Sequence, residues 1–345
     1  MIDNKEIVLI TGANTGIGFE TVKALFASSK PYHIILGSRD PAKGEKAVAE
    51  LECECPSSKS SLDVVQIDIT DDEAIERLFE HVKEKFGRVD ILVNNAGANF
   101  DAFNDASDPK KARELFNKSY DVNVSSTQVM TSAFAPLLIA SKSPRLLFLT
   151  SGLATLEGAH KSYLTKLAGD VPRGWPKEGI RTAVAYRSSK TALNMMMLSW
   201  HHLLKGDGVK VWSISPGFLA TSLGGKPEVL KKAGAGDPAT GAELIKNVIE
   251  GKRDEDVGKV IGQPEWVGET GIQACSAVVS FAGSLWRDVP SMIAAGSQCE
   301  IFNSRNPFGP GIATPDPQSD VGSVAECVAY SGRVSTASDF LTPIH

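Results

Sequence analysis

Tyr186-Arg187-Ser188-Ser189-Lys190 sets a phenol and an ammonium four residues apart, in a stretch that continues as a helical pattern over 191–204. At that spacing the two side chains share one helix face. A free tyrosine titrates at about 10, too high to exchange protons freely at neutral pH, and a nearby lysine ammonium favours the phenolate and lowers that value. Such a pair is suited to giving a proton to an oxygen that is gaining negative charge. The same spacing arises by chance on many surface helices, so its meaning depends on what the rest of the chain places beside it.

Near the N-terminus, Ile7-Val8-Leu9-Ile10 reads as a buried strand. It is followed by Thr11-Gly12-Ala13-Asn14-Thr15-Gly16-Ile17-Gly18 and then a helical pattern over 19–27. Glycines let the backbone turn tightly and approach a pyrophosphate, and the N–H groups of a helix start face the anion. The second strand ends in Leu36-Gly37-Ser38-Arg39-Asp40, which places Arg39 about twenty residues beyond the glycines, where an acid holds an adenosine ribose or an arginine pairs with a 2′-phosphate. Arg39 therefore favours NADP(H) over NAD(H). Asp40, one position later and ahead of Pro41, reads as a helix-start residue.

These segments need a frame. Continuous apolar runs at 7–10, 33–36, 64–67, 91–93, 146–149 and 209–214 alternate with amphipathic stretches. In 71–86, for example, Ile75, Leu78, Phe79 and Val82 recur at helical spacing. Runs of that kind are parallel strands buried on both faces. The pattern predicts an α/β Rossmann fold, a doubly wound parallel sheet with helices on both faces. Leu146-Leu147-Phe148-Leu149-Thr150-Ser151 then ends in a serine at the carboxyl edge, where such sheets bind ligands.

The glycine spacing T-G-x-x-x-G-x-G, Asn94-Asn95-Ala96-Gly97 and the Tyr186–Lys190 pair together resemble the short-chain dehydrogenase/reductase family over residues 5–262. Extended relatives, which include epimerases and dehydratases, space their glycines differently. The resemblance implies that Gly12, Asn14, Thr15, Gly16, Ile17 and Gly18 hold a dinucleotide, and that Asp68 and Ile69 meet its adenine. It implies that Asn95, Ala96 and Gly97 pass close to the cofactor, with an asparagine tying neighbouring strands. Ser151 would hydrogen-bond a substrate carbonyl, and Lys190 would also bind the nicotinamide ribose. Asn123, in Tyr120-Asp121-Val122-Asn123-Val124, would help hold a proton-relay water, and Pro216, Gly217, Leu219 and Thr221 would line the nicotinamide end. The activity implied is NADPH-dependent reduction of an aldehyde, ketone or quinone, with Tyr186 as proton donor. Oxidation of a secondary alcohol by NADP+ uses the same residues in reverse, and a cofactor-sensing protein without turnover is the reading from another class.

One departure concerns spacing. Ser151 and Tyr186 lie 35 positions apart, whereas shorter family members separate them by about a dozen residues. Tyr163 sits near the shorter spacing but has Leu167 at i+4 and Lys166 offset around the helix, so Tyr186 keeps the assignment. The extra segment 152–185 resembles the insertion of the family's monomeric carbonyl reductases. It is expected over the active-site mouth, with the protein a monomer or a homodimer.

Composition narrows the partners. The 345 residues carry 36 Lys and Arg against 41 Asp and Glu, a net charge of -5, which offers no footprint for nucleic acid. No apolar run approaches the roughly 20 residues that span a bilayer. The opening strand leaves no place for a signal peptide, and the five cysteines lack zinc-ligand spacing, so no metal site and a reducing, cytoplasmic location are expected. The catalytic domain is expected over 1–262. From Val260 to His345 not one lysine occurs and no helical or strand period stands out, so 263–345 reads as an extension of uncertain order.

Overall fold

The computed structural model describes residues 5–101, 108–160, 173–175, 183–223 and 225–262. Tyr163 and Lys166, much of the 152–185 insertion and the whole 263–345 extension lie outside the described residues.

Seven strands pair in parallel among the described residues, in the order β3-β2-β1-β4-β5-β6-β7. They are β1 (Glu6–Ile10), β2 (Tyr32–Ser38), β3 (Ser61–Gln66), β4 (Ile91–Asn94), β5 (Arg145–Leu149), β6 (Lys210–Ser215) and β7 (Val260–Gly262). The chain winds outward from β1 to β3, then returns to build the other half from β4. The order reverses between β1 and β4, the switch point at which a doubly wound sheet opens a crevice at its carboxyl edge.

Alternation within β1 shows why the sheet is covered on both sides. Val8 and Ile10 pack into one apolar cluster with Val22, Leu25 and Trp212. Ile7 and Leu9 point the other way, into a second cluster with Phe134, Leu193 and Met197. The helices are α1 (Gly16–Phe26), α2 (Pro41–Glu54), α3 (Asp72–Phe86), α4 (Pro109–Tyr120), α5 (Ser126–Ile139), α6 (Val184–Leu204), α7 (Pro227–Lys232) and α8 (Pro238–Ile249), of which α1, α2 and α8 feed the first cluster and α3, α5 and α6 the second. The expected 71–86 helix forms from Asp72, capped by Asp71, which accepts from the Ala74 N–H, and closed by Gly87 at φ 69. Asp40 caps α2 ahead of Pro41 in the same way.

Two helices occupy 227–249: Gly234 at φ 90 ends α7, and Asp237 with Pro238 starts α8. The strand β7, only three residues long, carries too little pattern to separate from the loop around it.

The amino edge of the sheet is stapled by charge. The Arg145 guanidinium, 7% exposed, donates to both Asp254 oxygens at 2.6 and 3.1 Å and to the Val248 carbonyl at 3.0 Å. Hydrogen bonding from Arg145, then from Lys210, holds the Asp254 carboxyl below its ordinary value of 3.8. A lowered folded value stabilises the fold above the unfolded value, and that contribution fades as pH falls through the folded one. Asp254→Ala is therefore expected to cost about 2 kcal/mol at neutral pH, the worth of hydrogen bonds to a charge, and less under acid. Urea unfolding at both pH values checks this; an equal loss at each contradicts it.

Candidate active site

Every loop at the carboxyl edge near the switch point brings residues to one place. Gly12 and Gly16 turn with φ of 61 and 58, a region that side chains avoid. Above them the turn is tied to the loop after β4. The Asn95 amide donates to the carbonyls of Thr11 and Gly12 at 2.7 and 3.0 Å, while the N–H groups of Asn95 and Ala96 donate to the Thr11 hydroxyl. The approach is close enough that a Cβ on Gly12 would stand 3.1 Å from the Ala96 Cα, and one on Gly18 would stand 2.5 Å from the Asn95 amide nitrogen. The loop after β6 joins on the other side, where Thr221 packs against Gly16. Within that loop Gly217 has φ 101, Leu219 pairs with Gly236, and Leu219 and Pro216 crowd Gly241 of α8.

Asn14, Ile17 and the exposed Thr15 lie on the turn and the first residues of α1. Arg39 is exposed at the end of β2, and its carbonyl accepts from the Gln66 amide. Asp68 stands past β3, with one oxygen taken by the Thr70 N–H and hydroxyl, and Ile69 is buried in the second cluster.

On the substrate side, α6 carries Tyr186 and Lys190 into the protein, 6% and 4% exposed, with the Lys190 ammonium 6.0 Å from the tyrosine ring centre. The shared face read from i, i+4 spacing is present. Ser151, at the end of β5, caps a short turn by accepting from the Leu153 N–H, and its hydroxyl hydrogen-bonds the Tyr186 phenol. Asn123 sits in a π-helical turn, Asp121–Ser125, that joins α4 to α5. Its amide donates to the Ala98 carbonyl and the Ser189 hydroxyl and its oxygen accepts from the Ala98 N–H, each at 2.9 Å. Gly97 passes between Asn123 and Lys190, so a Cβ there would meet the two at 3.0 and 3.2 Å. Ser151, Tyr186, Lys190 and Asn123 thus converge from β5, α6 and the π turn.

The electrostatics differ from the sequence-based expectation. The lysine was to lower the tyrosine; instead burial pushes Tyr186 up to about 12, against the Ser151 hydrogen bond that lowers it, and Asp101 adds to the rise. Burial likewise lowers Lys190 to about 8. Geometry supplies the reason. The ammonium donates to the Leu149 carbonyl at 2.7 Å and stands 6.0 Å from the tyrosine ring centre, and burial of each group governs its value.

Two residues near the site had no assigned part. Arg187, 8% exposed, donates from Nε to the Leu153 carbonyl, tying α6 to the loop that carries Ser151. Asp101, 1% exposed, accepts from the N–H groups of Ala185 and Tyr186. Among the described residues no group of His, Cys, Asp and Glu could hold a metal ion, and no helix is long and apolar enough to cross a membrane.

A parallel doubly wound sheet with a glycine turn at its switch point, and beside it a Ser–Tyr–Lys cluster whose tyrosine and lysine are buried, defines a Rossmann-fold oxidoreductase. The family model described as short chain dehydrogenase matches residues 6–164. The chain is 46% identical over 269 residues to the short-chain dehydrogenase/reductase tropE of Talaromyces stipitatus, covering 76% of this chain and 96% of that one. It is 46% identical over 259 residues to eupG of Phoma sp, covering 73% and 92%. The chain belongs to the short-chain dehydrogenase/reductase family. Among solved structures it is similar to an NADPH-bound carbonyl reductase from chicken fatty liver, with TM-score 0.61 and 24% identity over 76% of this chain and 97% of that one, a likeness of fold.

Proposed function

We propose that this protein reduces an aldehyde, ketone or quinone with NADPH, and that Tyr186 gives the proton. The convergence of Ser151, Tyr186 and Lys190 beside the glycine turn carries this reading.

The turn fits a dinucleotide. Its two positive-φ glycines, with a Cβ tightly met at Gly12 and excluded at Gly18, leave a bare backbone at the start of α1. Gly12, Asn14, Thr15, Gly16, Ile17 and Gly18 would hold the pyrophosphate there. Asp68 and Ile69 would flank the adenine, and Arg39 the 2′-phosphate. Asn95, Ala96 and Gly97, then Pro216, Gly217, Leu219 and Thr221, would line the way to the nicotinamide end. NADPH bound there supplies the hydride.

The chain does the rest. Ser151 donates its hydroxyl hydrogen to the carbonyl oxygen and so favours the charge that develops on it. Tyr186 is a neutral phenol throughout the neutral range, because burial holds its value at about 12; its proton is in place before substrate arrives. Lys190, at about 8, is mostly an ammonium at neutral pH, and it favours the phenolate left behind while reaching the ribose hydroxyls. Asn123 braces the floor between Ala98 and Ser189.

A panel of aldehydes, ketones and quinones followed by NADPH absorbance tests the reading, and a panel without NADPH consumption would overturn it. Cofactor choice is tested separately. Arg39→Ala is expected to weaken NADPH by about tenfold or more, the worth of a lost charge-assisted pair, and NADH by less than about twofold. Equal weakening of both would contradict a 2′-phosphate role.

A further inference from the structure

The helix that carries Tyr186 and Lys190 lacks a cap of its own. Ala183, the residue before it, takes φ 49 and ψ 45 and gives no side-chain hydrogen bond to the helix start. Among the described residues it is the one non-glycine with positive φ, a conformation that persists only where the surroundings enforce it. The first N–H groups of a helix have no partner within the helix. For α6 the partner comes from across the chain. Asp101 Oδ2 accepts from the Ala185 N–H at 2.7 Å and Oδ1 from the Tyr186 N–H at 3.3 Å, over 84 and 85 positions of sequence.

Asp101 lies in the same loop after β4 as Asn95, Ala96 and Gly97, and Asn95 is bound to the glycine turn. One carboxylate therefore links the tyrosine's own backbone to the segment that runs along the proposed cofactor path. Resting on the proposed carbonyl reduction, we propose that Asp101 is a positioning residue for Tyr186, fixing where the phenol stands relative to the dinucleotide.

Charge and placement act together. A carboxylate at a helix start complements the positive end of the helix. The charged groups that face Tyr186 among the described residues are Asp101, from the loop after β4, and Lys190, from its own helix; Ser151 approaches from β5. Negative charge at Asp101 disfavours a phenolate nearby and so raises the tyrosine's value. Reduction needs the protonated phenol, so activity falls as pH rises through that value. Removing the charge should then bring the fall to lower pH.

The full-length protein with Asp101→Ala is expected to lose turnover by on the order of a hundredfold, the cost of a small misplacement of a reacting group, with NADPH affinity measured by fluorescence unchanged. Asp101→Asn keeps an acceptor without the charge. It should recover most of that turnover and move the alkaline fall of the pH profile to lower pH, which a merely structural cap would not do. Hydrogen exchange at the amides of Ala185 and Tyr186 should quicken in Asp101→Ala. Wild-type turnover and an unmoved pH profile in both variants would overturn the proposal. If Asp101→Ala does not fold, the Asp101→Asn profile decides, an unmoved one counting against it. Should the wild type reduce no carbonyl, the proposed function falls, and unaltered amide exchange in Asp101→Ala would then sink the positioning role as well.

Discussion

Tyr186→Phe is expected to lower kcat for carbonyl reduction by roughly a thousandfold, within the range for losing a general acid, while the NADPH Kd stays within about twofold. The substitution removes one hydroxyl and keeps the ring that fills the buried end of α6, 6% exposed. Packing is preserved, and what disappears is the proton and the hydrogen bond with Ser151. Affinity for NADPH is expected to persist because the glycine turn, Arg39 and Lys190 are untouched. Single-turnover kinetics with a fixed carbonyl substrate would separate the steps: a phenylalanine enzyme that turns over normally contradicts the assignment of Tyr186.

The second large effect belongs to Gly18. A methyl group there would lie 2.5 Å from the Asn95 amide nitrogen, 2.7 Å from the Gly12 carbonyl oxygen and 2.9 Å from the Ala13 Cα. Two of those atoms are backbone, and the third is committed to hydrogen bonds with Thr11 and Gly12. None can give way without opening the turn. Gly18→Ala is expected to cost on the order of 1–3 kcal/mol of stability, as overpacking does, and to weaken NADPH by more than tenfold. Equilibrium unfolding and a fluorescence titration measure the two. A variant that binds NADPH as tightly as the wild type would show that the turn is not where the cofactor sits.

Much of this site was legible in the chain because its residues announce themselves locally. Glycines at a strand-to-helix junction, an apolar run ending in Ser151, and tyrosine and lysine at helical spacing each follow from local backbone geometry. The inner parallel strands were readable for the same reason, their burial on both faces leaving apolar runs, while β3, at the sheet edge, has no fully buried residue. Asp101 was not, since nothing in its neighbours marks it and its partners are backbone N–H groups 84 and 85 positions away. Its only trace lies elsewhere: Ala183, which stands at the cap position of α6, has no side chain able to cap it. The level of the tyrosine pKa was misread because spacing records that a lysine is near, but not that both groups are buried or that the ammonium turns to the Leu149 carbonyl.

Hydride delivery to a carbonyl carbon is the centre of this account, and isotope transfer reads it most directly. With an aldehyde or ketone that the protein reduces, and NADPH deuterated at the transferring position of the nicotinamide, the wild-type protein should place one deuterium on the carbinol carbon for each NADPH consumed. Product that forms without deuterium at that carbon, or NADPH that is consumed with no alcohol formed, would contradict it.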